Sequence, residues 1–343
     1  MPKNTRARPP SPASPAAKPK SRTRSVALIW LTVVGLPVIA AAAGAYALFG
    51  RATPPPPAPV ATSDQPALVT RVESLYNNIS VYRRSDDYLM LLFGAKRLHY
   101  VESIINPKDP LELPVTYTQS MVAGALVYPA ELKDMMIIGL GGGRTAWYLH
   151  KSVPELSFTA VELDPEVARL AATYFGVKPE PGFDITIEDG RVFLAHTDRT
   201  FDAILIDAYR GPFVPFHLLT SEFYKLVAAH LKPGGVAVQN VEPTTMLFDS
   251  AVATIKSAFG HVVFLSGDGN IVIVAYNGPE RDEATLQKIA AERQAKYGFR
   301  YDLAKILERR FEPGWNVATR PLTDDFAPVE FLKAIERHNE KQL

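Results

Sequence analysis

"DMMIIGLGGGRTAWYL", residues 134–149, runs an apolar, β-prone segment into four glycines within five positions and then into a helix-like segment. Glycines placed directly after a strand let the backbone turn tightly and approach a ligand where no side chain would fit. The helix that follows turns its N-terminus toward the same place. Gly139, Gly141, Gly142 and Gly143 are therefore candidate cofactor-binding positions. Such turns are also built for structure alone, so the neighbours of this one have to decide.

Outward from the turn, apolar strand-like runs at 135–139, 158–163, 183–188, 201–207 and 236–241 alternate with helix-like segments. Strand and helix in alternation imply a parallel sheet covered on both faces. Two further β-rich runs, 262–265 and 270–276, flank "SGDGN" and read as a hairpin that adds antiparallel strands at one edge. The expected fold class is thus α/β, doubly wound and Rossmann-like. The antiparallel pair points to the S-adenosylmethionine-dependent transferase variant. Upstream, residues 68–114 hold short β-prone runs broken by polar turns and read as a small β-region. Residues 115–128 have helical spacing, which opens a nucleoside-binding domain over 115–278. The rest, 279–343, reads as a helical extension.

In open α/β sheets ligands gather at the carboxyl ends of the strands. Glu162 closes the second strand, 23 residues beyond Gly139, where a carboxylate can accept hydrogen bonds from both ribose hydroxyls of an adenosine. Asp189 ends the third strand and suits an adenine amino group, while Asp207 ends the fourth at the switch point. A lone acid at a strand end caps a helix as readily as it binds a ligand. Asp164, just before Pro165, reads as such a cap.

The chain has 343 residues, a formal net charge of +1 and no cysteine. Disulfides, thiolate metal sites and thiol nucleophiles are therefore excluded, and no metal is expected. The first 24 residues hold seven basic side chains and no acid and read as a disordered arm. Residues 25–50 are uncharged and long enough to cross a bilayer; a cleaved signal peptide is the alternative, although its apolar part is usually shorter. A Pro-rich linker, 51–67, follows. The basic arm places the N-terminus in the cytoplasm of a bacterial cell, with one span in the inner membrane and the globular part outside. Nucleic acid is not expected as a partner, because the basic arm abuts the span; a homodimer stays open.

"IIGLGGGRTAWYL", "VELDPEV", "EDGRVFL", "FDAILIDAY" and "SEFYKLVAAHLKPGGV" together resemble the spermidine synthase family. "DAYRGPFVPFHLLTSEFY" and "LTDDFAPVEF" are similar to spermidine-synthase-like domains fused to membrane segments in bacteria. The resemblance implies transfer of an aminopropyl group from decarboxylated S-adenosylmethionine to a small amine. Several residues depart from the family pattern. Where the family turn carries an aspartate that helps hold the aminopropyl end, this chain has Gly142. Where a second aspartate follows the catalytic one, it has Arg210, and where a carboxylate follows the tyrosine of the preceding helix, it has Gln119. A polyamine would miss those charges, because a charge-assisted hydrogen bond is worth about 1.5–3 kcal/mol. Putrescine is therefore not the expected acceptor.

The implied chemistry is an in-line displacement at a sulfonium carbon, with S-adenosylmethionine or its decarboxylated form as donor. Asp207 is the candidate base, with Tyr209 and Tyr117 as orienting neighbours. Arg210 invites an anionic group on the acceptor, and Gln119 and His217 complete the candidate substrate-binding set. His217 is an alternative base, though a histidine in an apolar segment is more often structural. Two other readings stand beside the transferase. One is a noncatalytic nucleoside-binding scaffold on a membrane anchor, which an outward topology favours. The other is a nicotinamide-dependent dehydrogenase, since "GGGRTA" formally fits G-x-G-x-x-A; its register begins late for that role.

Overall fold

The computed structural model describes residues 65–94, 100–210 and 213–326. The expected basic arm, the membrane span and most of the Pro-rich linker lie outside the described residues. Among the described residues no helix is long and apolar enough to cross a membrane.

The chain enters as an antiparallel meander of β1 (Ala67–Glu73), β2 (Asn78–Arg83), β3 (Leu89–Phe93) and β4 (Tyr100–Ile105), paired in sequence order. Its inner face, which includes Ile79, Val81, Leu91 and Ile105, joins the main core rather than forming one of its own. Helix α1 (Thr116–Val127) follows. From Thr118 to Val127 every residue but Gln119 is buried. This helix has no wet face: it is packed among the sheet and its neighbours on several sides.

The main sheet contains β5 (Asp134–Ile138), β6 (Ser157–Glu162), β7 (Phe183–Ile187), β8 (Phe201–Ile206), β9 (Leu231–Val241), β10 (His261–Ser266), β11 (Ile271–Tyr276) and β12 (Arg310–Phe311). Their order is β12-β10-β11-β9-β8-β5-β6-β7. The strands from β7 to β9 run parallel, and β9, β11, β10 and β12 pair antiparallel. The expected Rossmann-like sheet and its hairpin are thus present, with β11 inserted between β9 and β10. Alternate residues of each central strand enter opposite cores. Ile137, Leu205 and Val238 face one side and Met136, Ile204 and Ala237 the other. Burial on both faces explains why these strands read as continuous apolar runs rather than alternating ones.

Helices α2 (Arg144–Ser152), α3 (Pro165–Phe175), α4 (Gly190–His196), α5 (Ser221–Ala229) and α6 (Phe248–Ala258) are the crossovers, and α7 (Glu283–Tyr297) and α8 (Leu303–Leu307) lie between β11 and β12. Most are capped from the sequence. Asp164 accepts from the N–H of Glu166 with Pro165 in the first turn, and Asp189, Thr220, Asp282 and Asp302 cap α4, α5, α7 and α8. Helix α2 is different. Its N-cap is Gly143 at φ 69° with no side-chain cap, so the helix opens onto the glycine turn with its first N–H groups unclaimed by a side chain.

Candidate functional site

A cavity of about 980 Å³ opens over the carboxyl ends of β5, β6, β7, β8 and β9. The first wall is the glycine turn. Gly139 has φ 90°, and a Cβ there would lie 2.4 Å from the backbone oxygen of Asp207, so only glycine lets the turn leave β5 while touching the end of β8. Gly142 meets the opposite boundary. A Cβ there would lie 2.4 Å from Ser103 Oγ and 2.8 Å from the Phe175 ring, because β4 runs across the turn. The place that the family resemblance gives to an aspartate is already filled by Ser103.

Glu162 braces this turn. Its two carboxylate oxygens accept from the backbone N–H groups of Leu140 at 2.8 Å and Asp164 at 2.9 Å. Burial lifts its carboxyl above the usual range, and those N–H groups pull it back. A carboxylate offers about four lone-pair sites and the Gly141 N–H also reaches this one, so about one or two remain for a diol. Asp164 is the cap expected of it, and it also accepts from Ser74 Oγ at 2.5 Å, which docks the β1–β2 turn onto the site.

Asp189 and His217, assigned to separate partners in the sequence, meet in the fold. Asp189 Oδ1 caps α4 through the N–H groups of Arg191 and Val192, and its Oδ2 lies 2.8 Å from His217 Nε2. The hydrogen bond to His217 is the main reason its carboxyl is held below the usual range. About one lone pair is left for an adenine amino group. The segment carrying His217 is tied down from outside. The Arg191 guanidinium donates to the His217 carbonyl at 3.0 Å and pairs with Asp324, from the late "LTDDF" stretch.

Asp207 sits where β8 ends. Asn240 Nδ2 donates to its Oδ1 at 3.0 Å and the Tyr117 hydroxyl donates to its Oδ2 at 3.3 Å. Burial pushes its carboxyl up to about 6, against the opposing pull of those two donors. Tyr117 is itself lifted well above the usual range, by burial first and then by the charge of Asp207. The Tyr209 hydroxyl turns to another partner than Asp207 and donates to the Asn240 carbonyl at 3.1 Å. Arg210 is exposed at the lip of the cavity.

Gln119 requires a correction. It lies outside the cavity wall, with Nε2 donating to the Leu113 carbonyl and Oε1 accepting from Arg309. Two residues along a helix turn the side chain by roughly 200°, so with Tyr117 facing Asp207 its neighbour at 119 must face away.

Three residues of the site were missed in the sequence. Asn240 lies near the end of β9 and was open to the same strand-end argument that found Asp207. Arg144 is buried, donates to backbone carbonyls of Phe175 and Pro110, and is pushed down to about 10 by burial; it anchors the base of the glycine turn. Glu102, on β4, lines the cavity with Oε1 buried and lacking a hydrogen-bond partner. An acid in a short edge-sheet strand carries no mark in the sequence, because only the packing of β4 across the turn brings it in.

Comparisons with known proteins place the family and the fold. The Spermine/spermidine synthase domain profile matches residues 115–274. The polyamine aminopropyltransferase of Vibrio vulnificus is 30% identical over 279 residues, which cover 78% of this chain and 92% of that protein. Among solved structures, the probable spermidine synthase of Corynebacterium glutamicum superposes with a TM-score of 0.56 at 22% identity, over 74% of this chain and 99% of the other. The spermidine synthase of Thermotoga maritima gives 0.57 at 20% identity, over 72% and 85%. These two likenesses concern the fold; the sequence match to the Vibrio enzyme carries the family. The chain belongs to the spermidine synthase family of polyamine aminopropyltransferases.

Proposed function

We propose that this chain is a transferase that binds S-adenosylmethionine or its decarboxylated form across the strand ends and passes an alkyl group, aminopropyl or methyl, to a small acceptor other than putrescine. The observation that carries the reading is Asp207, a buried carboxyl lifted to about 6 at the switch point, held by Tyr117 and Asn240 and touching the glycine turn through its backbone. The acceptor's lone pair attacks the carbon next to the sulfonium. The carbon–sulfur bond breaks, the thioether nucleoside leaves uncharged, and the proton shed by the acceptor passes to the Asp207 carboxylate. Arg210 at the lip repels a second ammonium and suits an anionic group on the acceptor.

The full chain is incubated with either donor and a panel of amines, with release of methylthioadenosine or S-adenosylhomocysteine followed by chromatography. Nucleoside release that depends on an acceptor other than putrescine is expected. Efficient spermidine formation overturns the acceptor assignment, and a failure to bind any of these nucleosides overturns the transferase.

Glu162→Ala should weaken methylthioadenosine binding by about 1–3 kcal/mol, since it removes both the ribose acceptor and the brace on Leu140. Calorimetry with unchanged affinity in that variant removes Glu162 from the ribose site.

The distribution of charge supports a further part of the proposal, an inner-membrane protein with its globular part outside. Seven basic residues precede the uncharged stretch at 25–50, and Arg51 is the one basic residue of the linker that follows. A phosphatase fusion joined after Pro66 that is active only upon export should give signal, and a cytoplasm-only reporter at the same joint should not. The reverse pattern places the site beside cytoplasmic nucleotides instead.

A further inference from the structure

Of the acidic residues that line the cavity, Glu102, Glu162 and Asp207 are near enough to feel one another's charge, and two of these three are accounted for. Glu162 accepts from two backbone N–H groups and Asp207 from Asn240 and Tyr117. Glu102 is the third. Its Oε1 is buried in the cavity wall and meets no donor, and the strand that carries it also carries Ser103, whose side chain fills the space over Gly142. Buried polar atoms are paired as a rule, and a buried carboxylate without a partner is unfavourable. The missing partner of Glu102 is therefore expected to arrive with a ligand, and next to Asp207 and Glu162 a cationic donor suits the site best.

On the reading that the cavity holds a sulfonium nucleoside, we propose that Glu102 supplies the negative charge the glycine turn lacks: it receives the ammonium at the end of the donor's alkyl chain and selects the decarboxylated donor. In S-adenosylmethionine the same carbon bears both the ammonium and a carboxylate. Seating that ammonium on Glu102 brings an anion among three acidic side chains, whereas the decarboxylated donor brings only positive charge. Selectivity thus arises from a repulsive element as well as an attractive one.

The titratable groups that sense Glu102 come from several elements: Asp207 after β8, Glu162 at the end of β6, Tyr117 on α1 and Tyr209 beyond β8. All of them are acids. Burial, and then the charges of Asp207 and Glu162, lift the Glu102 carboxyl well above its ordinary range. An arriving ammonium favours the ionised form, so its binding drives this residue toward proton release, which a neutral nucleoside does not do.

Calorimetry on the full chain tests this with methylthioadenosine, decarboxylated S-adenosylmethionine and S-adenosylmethionine, each in two buffers of different ionisation enthalpy. The wild-type protein should bind the decarboxylated donor at least about tenfold more tightly than either other ligand, as a charge-assisted contact implies. Glu102→Gln should reduce that preference to less than about threefold, keep methylthioadenosine binding within about twofold and abolish the extra proton release. Retained methylthioadenosine binding also reports that the variant is folded. An unchanged preference in Glu102→Gln, or a wild-type protein that binds all three equally, overturns the role of Glu102 and leaves the nucleoside site standing. If the wild-type protein does not bind methylthioadenosine, the nucleoside site falls and the proposal with it.

Discussion

Asp207→Asn is expected to lower turnover by a factor of roughly 100 to 10,000, the usual range for removal of a general base, while nucleoside binding changes little. The amide keeps the size of the carboxyl and can still accept from Asn240 Nδ2, so the geometry at the end of β8 survives. What disappears is the capacity to take a proton. With the carboxyl at about 6, wild-type turnover should rise through pH 6 and level off above it, and the residual turnover of the variant should lack that step. Stability moves the other way. The folded-state value lies above the ordinary 3.8, so the folded protein holds an extra proton between about pH 4 and 6 and loses that advantage as pH rises through 6. At pH 7 the wild-type protein carries a buried charge that the variant lacks, and the thermal midpoint of Asp207→Asn should equal or exceed that of the parent. A variant that keeps its turnover and its pH step removes Asp207 from the chemistry. One that loses turnover together with several degrees of thermal midpoint shows that the residue acts through structure.

Strand boundaries were legible where burial on both faces left an unbroken apolar run. The run at 201–207 is one residue longer than β8, and the run at 135–139 is β5 shifted by one residue. The fifth run, 236–241, falls short of β9 at its start. "LKPGGV" carries turn chemistry, yet Leu231 already pairs with Phe201 before the register shifts, so β9 begins at Leu231. Helix α1 shows the opposite limit. Its spacing is helical, but no residue in it marks that almost the whole turn-by-turn surface is covered. Within the site, Glu162 and Asp207 could be placed because strand ends have a known direction in this fold. Gln119 could not, since resemblance transfers a residue type and not the rotation of a helix about its axis. The link from Asp189 to His217 and the approach of Glu102 depend on segments that meet only in three dimensions.

The absence of an acid in the glycine turn has a steric cause, and restoring the acid should damage the protein. In Gly142→Asp the new Cβ would lie 2.4 Å from Ser103 Oγ, 2.7 Å from Ser103 Cβ and 2.8 Å from Phe175 Cδ1. Neither neighbour can give way easily. Ser103 is buried on β4 and paired with Leu91, and Phe175 is buried at the last position of α3. Overpacking of this kind costs about 1–3 kcal/mol, and a carboxylate pressed among the buried Ser103 and Phe175 adds a desolvation cost. The thermal midpoint should fall by roughly 2–6 °C for a chain of this size, with nucleoside binding at least about tenfold weaker because the turn itself must shift. Adding Ser103→Gly to the same variant removes the serine contacts and leaves the Phe175 ring, so the double variant should recover part of the loss and not all of it. If Gly142→Asp instead keeps the parental midpoint and gains transfer to putrescine, the turn has room for the acid after all, and the specificity of this site was set by one residue rather than by the strand laid across it.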